Sequence, residues 1–189
     1  MNTDSKEWLE NAIDKKWIKI FNYDMFREIE HVSTTMLKDV KKAQEKCGKK
    51  VILEYLKDDV YEIEDNYYTN FVREVQNLIK LNDSENIIKF LGISKDPSQK
   101  FYCIVFQCAY GEDLRMYLQK NSAKLSWPAR VKIAKEVING MRDVHRENIV
   151  HCNLNPKNIL IYNDRPVIKG FDTSISLDGP SRFLETREE

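Results

Sequence analysis

The residues best placed to do chemistry stand in one short run, His151-Cys152-Asn153-Leu154-Asn155-Pro156-Lys157-Asn158-Ile159-Leu160-Ile161. It is a polar loop with a proline that leads straight into an apolar strand. The loop carries asparagines and no carboxylate. A carboxamide can orient a hydroxyl group but cannot accept its proton, because it has no ionisable oxygen. The simplest role for Asn158 is to hydrogen-bond the loop to itself. A second stretch follows, Pro166-Val167-Ile168-Lys169-Gly170-Phe171-Asp172. It offers one carboxylate, Asp172, and at Gly170 no side chain at all.

The rest of the composition narrows the chemistry further. Thirty basic residues balance thirty acidic ones in 189. A zero net charge gives no long-range reason to expect nucleic acid or an anionic membrane as partner. Cys47, Cys103, Cys108 and Cys152 form no C-x-x-C pair, and the three histidines lack metal-ligand spacing, so reduced thiols are expected. No signal-peptide core follows Met1, and the most apolar window, 101–110, is too short for a membrane helix. A cytoplasmic or nuclear protein is the expectation.

The elements that must position the loop read as strands, one helix, strands, then helices, an α+β arrangement. Ile13, Trp17 and Ile20 predict a short leading helix within an extension over residues 1–25. Phe26, Ile29 and Val32 lead into strands, and Val51-Ile52-Leu53-Glu54-Tyr55-Leu56 is a strong strand by its β-branched and aromatic content. Cys47-Gly48-Lys49-Lys50 reads as a turn, and the basic run 41–50 as a solvated loop and edge. Phe71, Val75, Leu78 and Ile79 give one apolar face to a helix over 67–82, with Asn66 or Thr69 as its cap. Apolar runs at 87–91 and 101–106 form a second hairpin. A short helix carries Leu114, Tyr117 and Leu118. Ser126-Trp127-Pro128 starts a helix to about Glu147, with Ala134, Val137, Ile138, Met141 and Val144 on one face.

This order and spacing resembles the protein kinase family, which writes its catalytic loop H-R-D-L-x-x-x-N and its metal-binding turn D-F-G. Here they read His151 to Asn158, H-C-N-L-N-P-K-N, and Gly170-Phe171-Asp172. The resemblance runs from about Phe26 to Leu184. It implies a two-lobed kinase-like domain over 26–189, with a small antiparallel-sheet N-lobe at about 26–106, a hinge at 107–111 and an incomplete, mainly helical C-lobe at 112–189. Residues 1–25, of mixed charge and aromatic character, read as an extension that packs onto the first lobe, with a partner-binding peptide as the alternative.

Position by position, the resemblance implies lost chemistry. Ser33, Thr35 and Lys38 fall on the glycines of the phosphate loop, where stiff β-branched residues hinder a close amide cradle. Lys38 reads as a solvated strand residue. Glu54 falls on the third-strand lysine and Glu74 on its helix glutamate partner. Two carboxylates at ~4 Å repel by roughly 1–4 kcal/mol. Glu74 is therefore expected to turn away or to find a cation among Lys49, Lys50 and Lys57. Val32, Val40, Ile52, Phe106, Gln107, Cys108 and Leu160 fall on the nucleotide pocket, with Ile52 filling the slot above the adenine. Asn153 stands for the catalytic aspartate, Asn155 for a phosphate-contacting lysine, Asn158 for the metal-binding asparagine and Gly170 for the metal-binding aspartate. Asp172 is displaced by ~7 Å from that position in an extended chain and reads as exposed and non-catalytic. His151, Phe171, Leu78 and Phe90 match an apolar packing column of the family.

The expectation is a catalytically impaired kinase-like domain, a pseudokinase acting as a signalling, scaffold or protein-interaction module, with no working catalytic residue, no cofactor and no metal. Its partner would be a protein, not nucleic acid or membrane. The alternatives are an ATP- and Mg²⁺-dependent protein kinase with unusual residues, in which Asn158 and Asp172 are the weak metal candidates, and a truncated, non-functional fragment. Because the family's later helices do not follow before Glu189, the 128–147 helix is expected to expose apolar surface.

Overall fold

The computed structural model describes residues 3–35, 38–57, 64–98, 102–108 and 111–178, with backbone alone at 3 and 64–66. Met36 and Leu37 of the phosphate-loop frame, Ala109 and Tyr110 of the expected hinge, and the segment Gly179 to Leu184 lie outside the described residues. The chain divides into two compact units, 1–75 with 89–108, and 76–88 with 109–189. The fold is α+β, with one mainly antiparallel sheet in the first unit and helices with two small sheets in the second. No helix among the described residues is long and apolar enough to cross a membrane.

The first unit holds helix α1 (Thr3–Asp14), the start of helix α2 (Glu64–Leu81), and strands β1 (Ile20–Phe21), β2 (Phe26–Thr34), β3 (Lys38–Glu45), β4 (Lys50–Leu56), β5 (Phe90–Lys95) and β6 (Tyr102–Gln107). The strands form one sheet in the order β1-β5-β6-β4-β3-β2. All neighbours are antiparallel except β1 and β5. The β3–β4 hairpin sets the register of the whole sheet. Gly48 sits in its turn at φ +88°, a left-handed conformation that suits glycine, and its N–H donates to the Glu45 carbonyl at 2.8 Å. From that turn, Lys42 pairs with Ile52, Val40 with Glu54 and Lys38 with Leu56. Side chains alternate across a strand, so Lys38, Val40, Ile52 and Glu54 share one face. Ala43, Val51, Leu53 and Tyr55 share the other, where they pack with Phe21, Phe26, Cys103 and Val105.

This placement corrects the reading of the basic run. Lys41 and Lys42 do not lie in a solvated loop or edge. They lie on β3, an inner strand between β2 and β4. Lys41 reaches over the Tyr55 ring, 4.4 Å from its centroid. A lysine stem can cover apolar surface while its ammonium keeps a polar or aromatic neighbour, and this lets a basic sequence occupy a sheet interior.

The leading helix also differs from its prediction. It ends at Asp14, and Lys16 takes φ +58°. The N–H groups of Trp17 and Ile18 both return to the Ala12 carbonyl, at 2.9 and 3.3 Å, and close the helix end. Trp17 and Ile20 are therefore not on it. Residues 20–21 instead add β1 to the sheet, where the Ile93 N–H donates to the Lys19 carbonyl at 3.0 Å. Tyr23 and Tyr55 meet through their hydroxyls at 3.2 Å, beside the buried Asp96. The family-like unit and the first twenty-five residues thus share one core. Helix α2 begins at Glu64, so Asn66 and Thr69 lie inside it and neither caps its start. Strand β5 starts at Phe90, later than the apolar run 87–91, and Ile87 instead bridges to Ile168 in the second unit.

The second unit contains the end of α2, helices α3 (Leu114–Asn121) and α4 (Trp127–Arg146), and strands β7 (Glu112–Asp113), β8 (Ile149–Val150), β9 (Ile159–Tyr162), β10 (Arg165–Ile168) and β11 (Ile175–Ser176). Asp113 caps α3 by accepting the Met116 N–H at 2.8 Å, and Ser126 caps α4 ahead of Pro128. Strands β10, β9 and β7 form one small sheet and β11 with β8 another. The inward face of α4 is set by Gly140 and Val144 rather than by Ile138, which is 65% exposed. A Cβ at Gly140 would fall 2.8 Å from the Ile168 side chain and 3.0 Å from Asn86 Cβ, so α4 packs closely here against β10 and the segment before it.

Gly92 tests the attachment of β1. It has φ +148°, and a Cβ there would fall 2.1 Å from the Lys19 carbonyl oxygen. Backbone cannot yield as a side chain can. Gly92→Ala is expected to lower stability by roughly 1–3 kcal/mol, read by thermal unfolding, and to raise hydrogen exchange at the Ile93 N–H above that of β4.

Candidate functional site

In the first unit the chemistry centres on Lys38. It stands at the start of β3, two residues along from the partner of Glu54, so its side chain lies diagonally across from Glu54 on the same face. Its Nζ donates to Glu54 Oε2 at 2.9 Å and to Glu74 Oε1, from α2, at 2.7 Å. Lys38 is only 6% exposed and Glu74 1%. Both expectations for these residues are corrected. Lys38 is not solvated, and Glu74 neither turns away nor depends on Lys49, Lys50 or Lys57 for a cation. The ammonium lies between the two carboxylates, and its attraction to each opposes the repulsion between them. Two of its three N–H donors are committed to them. The cluster carries a formal charge of −1, and any further anion would have to compete with two buried carboxylates for the same ammonium.

Thr35 and Lys38 bond to each other through main chain and side chain. The Thr35 N–H donates to the Lys38 carbonyl at 2.8 Å, and the Lys38 N–H donates to Thr35 Oγ1 at 3.0 Å. On the strand before it, Thr34 Oγ1 donates to Asp39 Oδ1 at 2.6 Å. Threonine does here what glycine cannot, satisfying a backbone donor from its side chain. The amide of Lys38 is therefore directed at Thr35. Ser33 pairs with Val40 across the β2–β3 ladder.

The predicted pocket positions divide between the units. In the first, Ile52 pairs with Phe106, Phe106 is buried, Gln107 and Val40 are half-buried, and Cys108 is buried with its N–H donating to the Lys50 carbonyl at 3.3 Å. Val32 lies at a register shift of β2 and is 54% exposed. In the second, Leu160 is half-buried on β9, paired with Asp113 and Val167.

The loop of the second unit is held by its own carboxamides. Pro156–Asn158 forms a short 3-10 turn, and Asn155 Oδ1 accepts the Lys157 N–H at 2.9 Å. Asn155 Nδ2 donates to Asn153 Oδ1 at 2.9 Å, and Asn158 Nδ2 donates to the Asn153 carbonyl at 2.9 Å. The Asn158 carbonyl in turn accepts the Lys169 N–H at 2.9 Å. Asn158 also lies directly over Gly170. Gly170 has φ +83°, and a Cβ there would fall 2.8 Å from Asn158 Cγ. The space in which a side chain at 170 would begin is occupied. Asp172 is half-buried in the turn that follows, not exposed as the sequence predicted. Among the described residues no group of three or more His, Cys, Asp or Glu could hold a metal ion.

His151 joins the loop to Phe171. Its ring lies 4.8 Å from the Phe171 ring, centroid to centroid. Nε2 donates to the Lys169 carbonyl at 3.0 Å and Nδ1 accepts the Asn153 N–H at 3.2 Å, so the imidazole is neutral and protonated at Nε2. Burial disfavours the charged ring and lowers its pKa, against a smaller opposite pull from the Lys169 carbonyl. The unfolded chain takes up this proton below the ordinary value of about 6.5, while the folded chain resists it. Stability from His151 is thus full above that pH and falls as pH drops through it towards the folded value. The midpoint of thermal unfolding should fall between pH 7.5 and pH 5, and His151→Phe should flatten that dependence. An equal pH dependence in the variant would remove His151 as its source.

The geometry agrees with comparison to known proteins. Residues 24–182 match the model of the protein tyrosine and serine/threonine kinase family. LIM domain kinase 1 of Drosophila melanogaster is 32% identical over 124 residues, 65% of this chain and 10% of that protein. Serine/threonine-protein kinase STY46 of Arabidopsis thaliana is 26% identical over 130 residues, 69% of this chain and 22% of its own length. Serine/threonine/tyrosine-protein kinase HT1 of Arabidopsis thaliana is 32% identical over 92 residues, 48% of this chain and 23% of its own. The chain therefore spans between a tenth and a quarter of these relatives. With a family match over most of its length, the chain belongs to the protein tyrosine and serine/threonine kinase family.

Proposed function

We propose that this kinase-family chain is a protein-binding module of the cytoplasm or nucleus that does not transfer phosphate. One observation carries the reading: the side chains of Asn153, Asn155 and Asn158 bond within their own loop, and Asn158 lies over Gly170. Phosphoryl transfer is achieved almost wholly by positioning and charge stabilisation. The loop supplies neither a carboxylate to accept a proton nor one to hold a metal at position 170. Asn158 is left as a lone carboxamide, and Asp172 sits two residues beyond the glycine in its own turn. These residues do not fit a Mg²⁺–nucleotide. What the fold keeps is its packing, and a packed two-carboxylate cluster around Lys38 needs no nucleotide to hold it.

A second reading, an ATP-dependent kinase with rearranged residues, is favoured by Lys38. Its ammonium reaches the helix glutamate from β3 even though Glu54 occupies the usual lysine position. The two readings differ in a simple measurement. A ligand that binds only the folded chain, present at 100 times its Kd, stabilises it by about 2.7 kcal/mol. For a chain of this size that is a rise of at least about 5 °C in Tm. With 1 mM ATP and Mg²⁺ the unfolding midpoint is expected to stay within about 1 °C of its value without ligand. A Mg²⁺-dependent rise of several degrees, abolished by Lys38→Met, would establish the second reading.

A further inference from the structure

Helix α2 is covered on more than the face that carries Glu74. Tyr67, Phe71, Glu74 and Leu78 make one buried stripe. Tyr68, Val72 and Val75 make a second, about 100° around the helix. Packing against a sheet accounts for one such stripe. Helix α1 borders the other. Lys6 Nζ lies 5.6 Å from the centre of the Tyr68 ring. One turn further along the same side of α1, Glu10 is close enough to Tyr102 to raise the pKa of its hydroxyl, in addition to the larger effect of burial. Tyr102 is itself tied to α2, since its carbonyl accepts the Tyr67 hydroxyl at 2.7 Å and its ring lies 6.3 Å from that of Phe71.

The sequence of α1 suits this position. Trp8, Leu9, Ala12 and Ile13 recur at helical spacing, and Leu9 and Ala12 are 1% and 0% exposed. The helix is also fixed at its far end. Ile18 and Phe21 are buried, and Ser94 Oγ donates to the Phe21 carbonyl at 2.9 Å, so the segment cannot drift from the sheet without breaking β1. All of this precedes residue 24, where the family match begins.

We propose that α1 is a built-in brace for α2, with Leu9 and Ala12 as positioning residues that hold Glu74 within reach of Lys38. The chain thereby supplies from its own N-terminus the lateral support that fixes α2 in the Lys38-paired position. The brace holds whether or not phosphate is transferred, and its test does not use nucleotide.

The test uses the full chain and reads two local signals. One is the rate at which acetic anhydride acetylates the Lys38 amine, followed by peptide mass spectrometry. The other is hydrogen exchange across residues 67–75. Leu9→Ala should raise Lys38 acetylation and α2 exchange by about tenfold through local opening. Leu114→Ala, which empties the core of the second unit around Ile159 and Ile161, should lower Tm while leaving Lys38 acetylation within twofold of the parent. Leu9→Asp should exceed Leu9→Ala, and if it fails to fold the comparison rests on Leu9→Ala. The brace is overturned if Leu9→Ala leaves both signals within twofold of the parent, or if Leu114→Ala raises them as much.

Discussion

The first unit depends on one buried ammonium. Glu74 projects from α2 towards a sheet face that already carries Glu54, and neither carboxylate has water enough around it to dissipate its charge. Left alone, the two like charges would repel and push the helix away from the sheet. Lys38 removes the conflict by donating to both, at 2.9 and 2.7 Å. A charge cluster of this kind gains little net stability over an apolar one, but removing one partner strands the others at a cost of about 3–5 kcal/mol. Its consequence is geometric. The helix, the inner strand β3 and the strand β4 must keep the register that brings all three side chains together.

The second unit solves a different problem with neutral groups. A loop that has lost its carboxylates still has backbone donors and acceptors to satisfy. Asn153, Asn155 and Asn158 do this with short bonds to one another and to the chain, and the buried imidazole of His151 completes the set. The absence of a side chain at Gly170 is part of the same arrangement, since Asn158 uses that space. The two units have therefore kept the family's framework by different means: relocated charge in one, carboxamide hydrogen bonds in the other.

Much of this was legible in the sequence. The element order, the cap at Ser126 and the turn at Gly48 follow from local rules that depend on a few neighbouring residues. The family resemblance rests on the same order. The role of Lys38 was missed because alignment to a motif fixes positions along the chain, whereas the ion pair is fixed across it. Counting back from Gly48, with Ala43 opposite Val51, places Lys38 diagonal to Glu54 on the same face, so the signal lay in the hairpin register. The basic run was misplaced for a related reason. Charge alone suggests solvent, but Lys41 and Lys42 have long stems that lie along an inner strand. The brace by α1 was not legible, because spacing showed an amphipathic helix without showing which face of which element it would meet.

The central claim is that Lys38 and Glu74 are coupled within the folded chain and need no nucleotide for it. A double-mutant cycle with Lys38→Met and Glu74→Gln, measured by denaturant unfolding without nucleotide, addresses it directly. The account predicts that each single variant is destabilised more than the pair requires, with a coupling energy above about 1 kcal/mol. Additive effects, with a coupling within about 0.3–0.5 kcal/mol of zero, would contradict it.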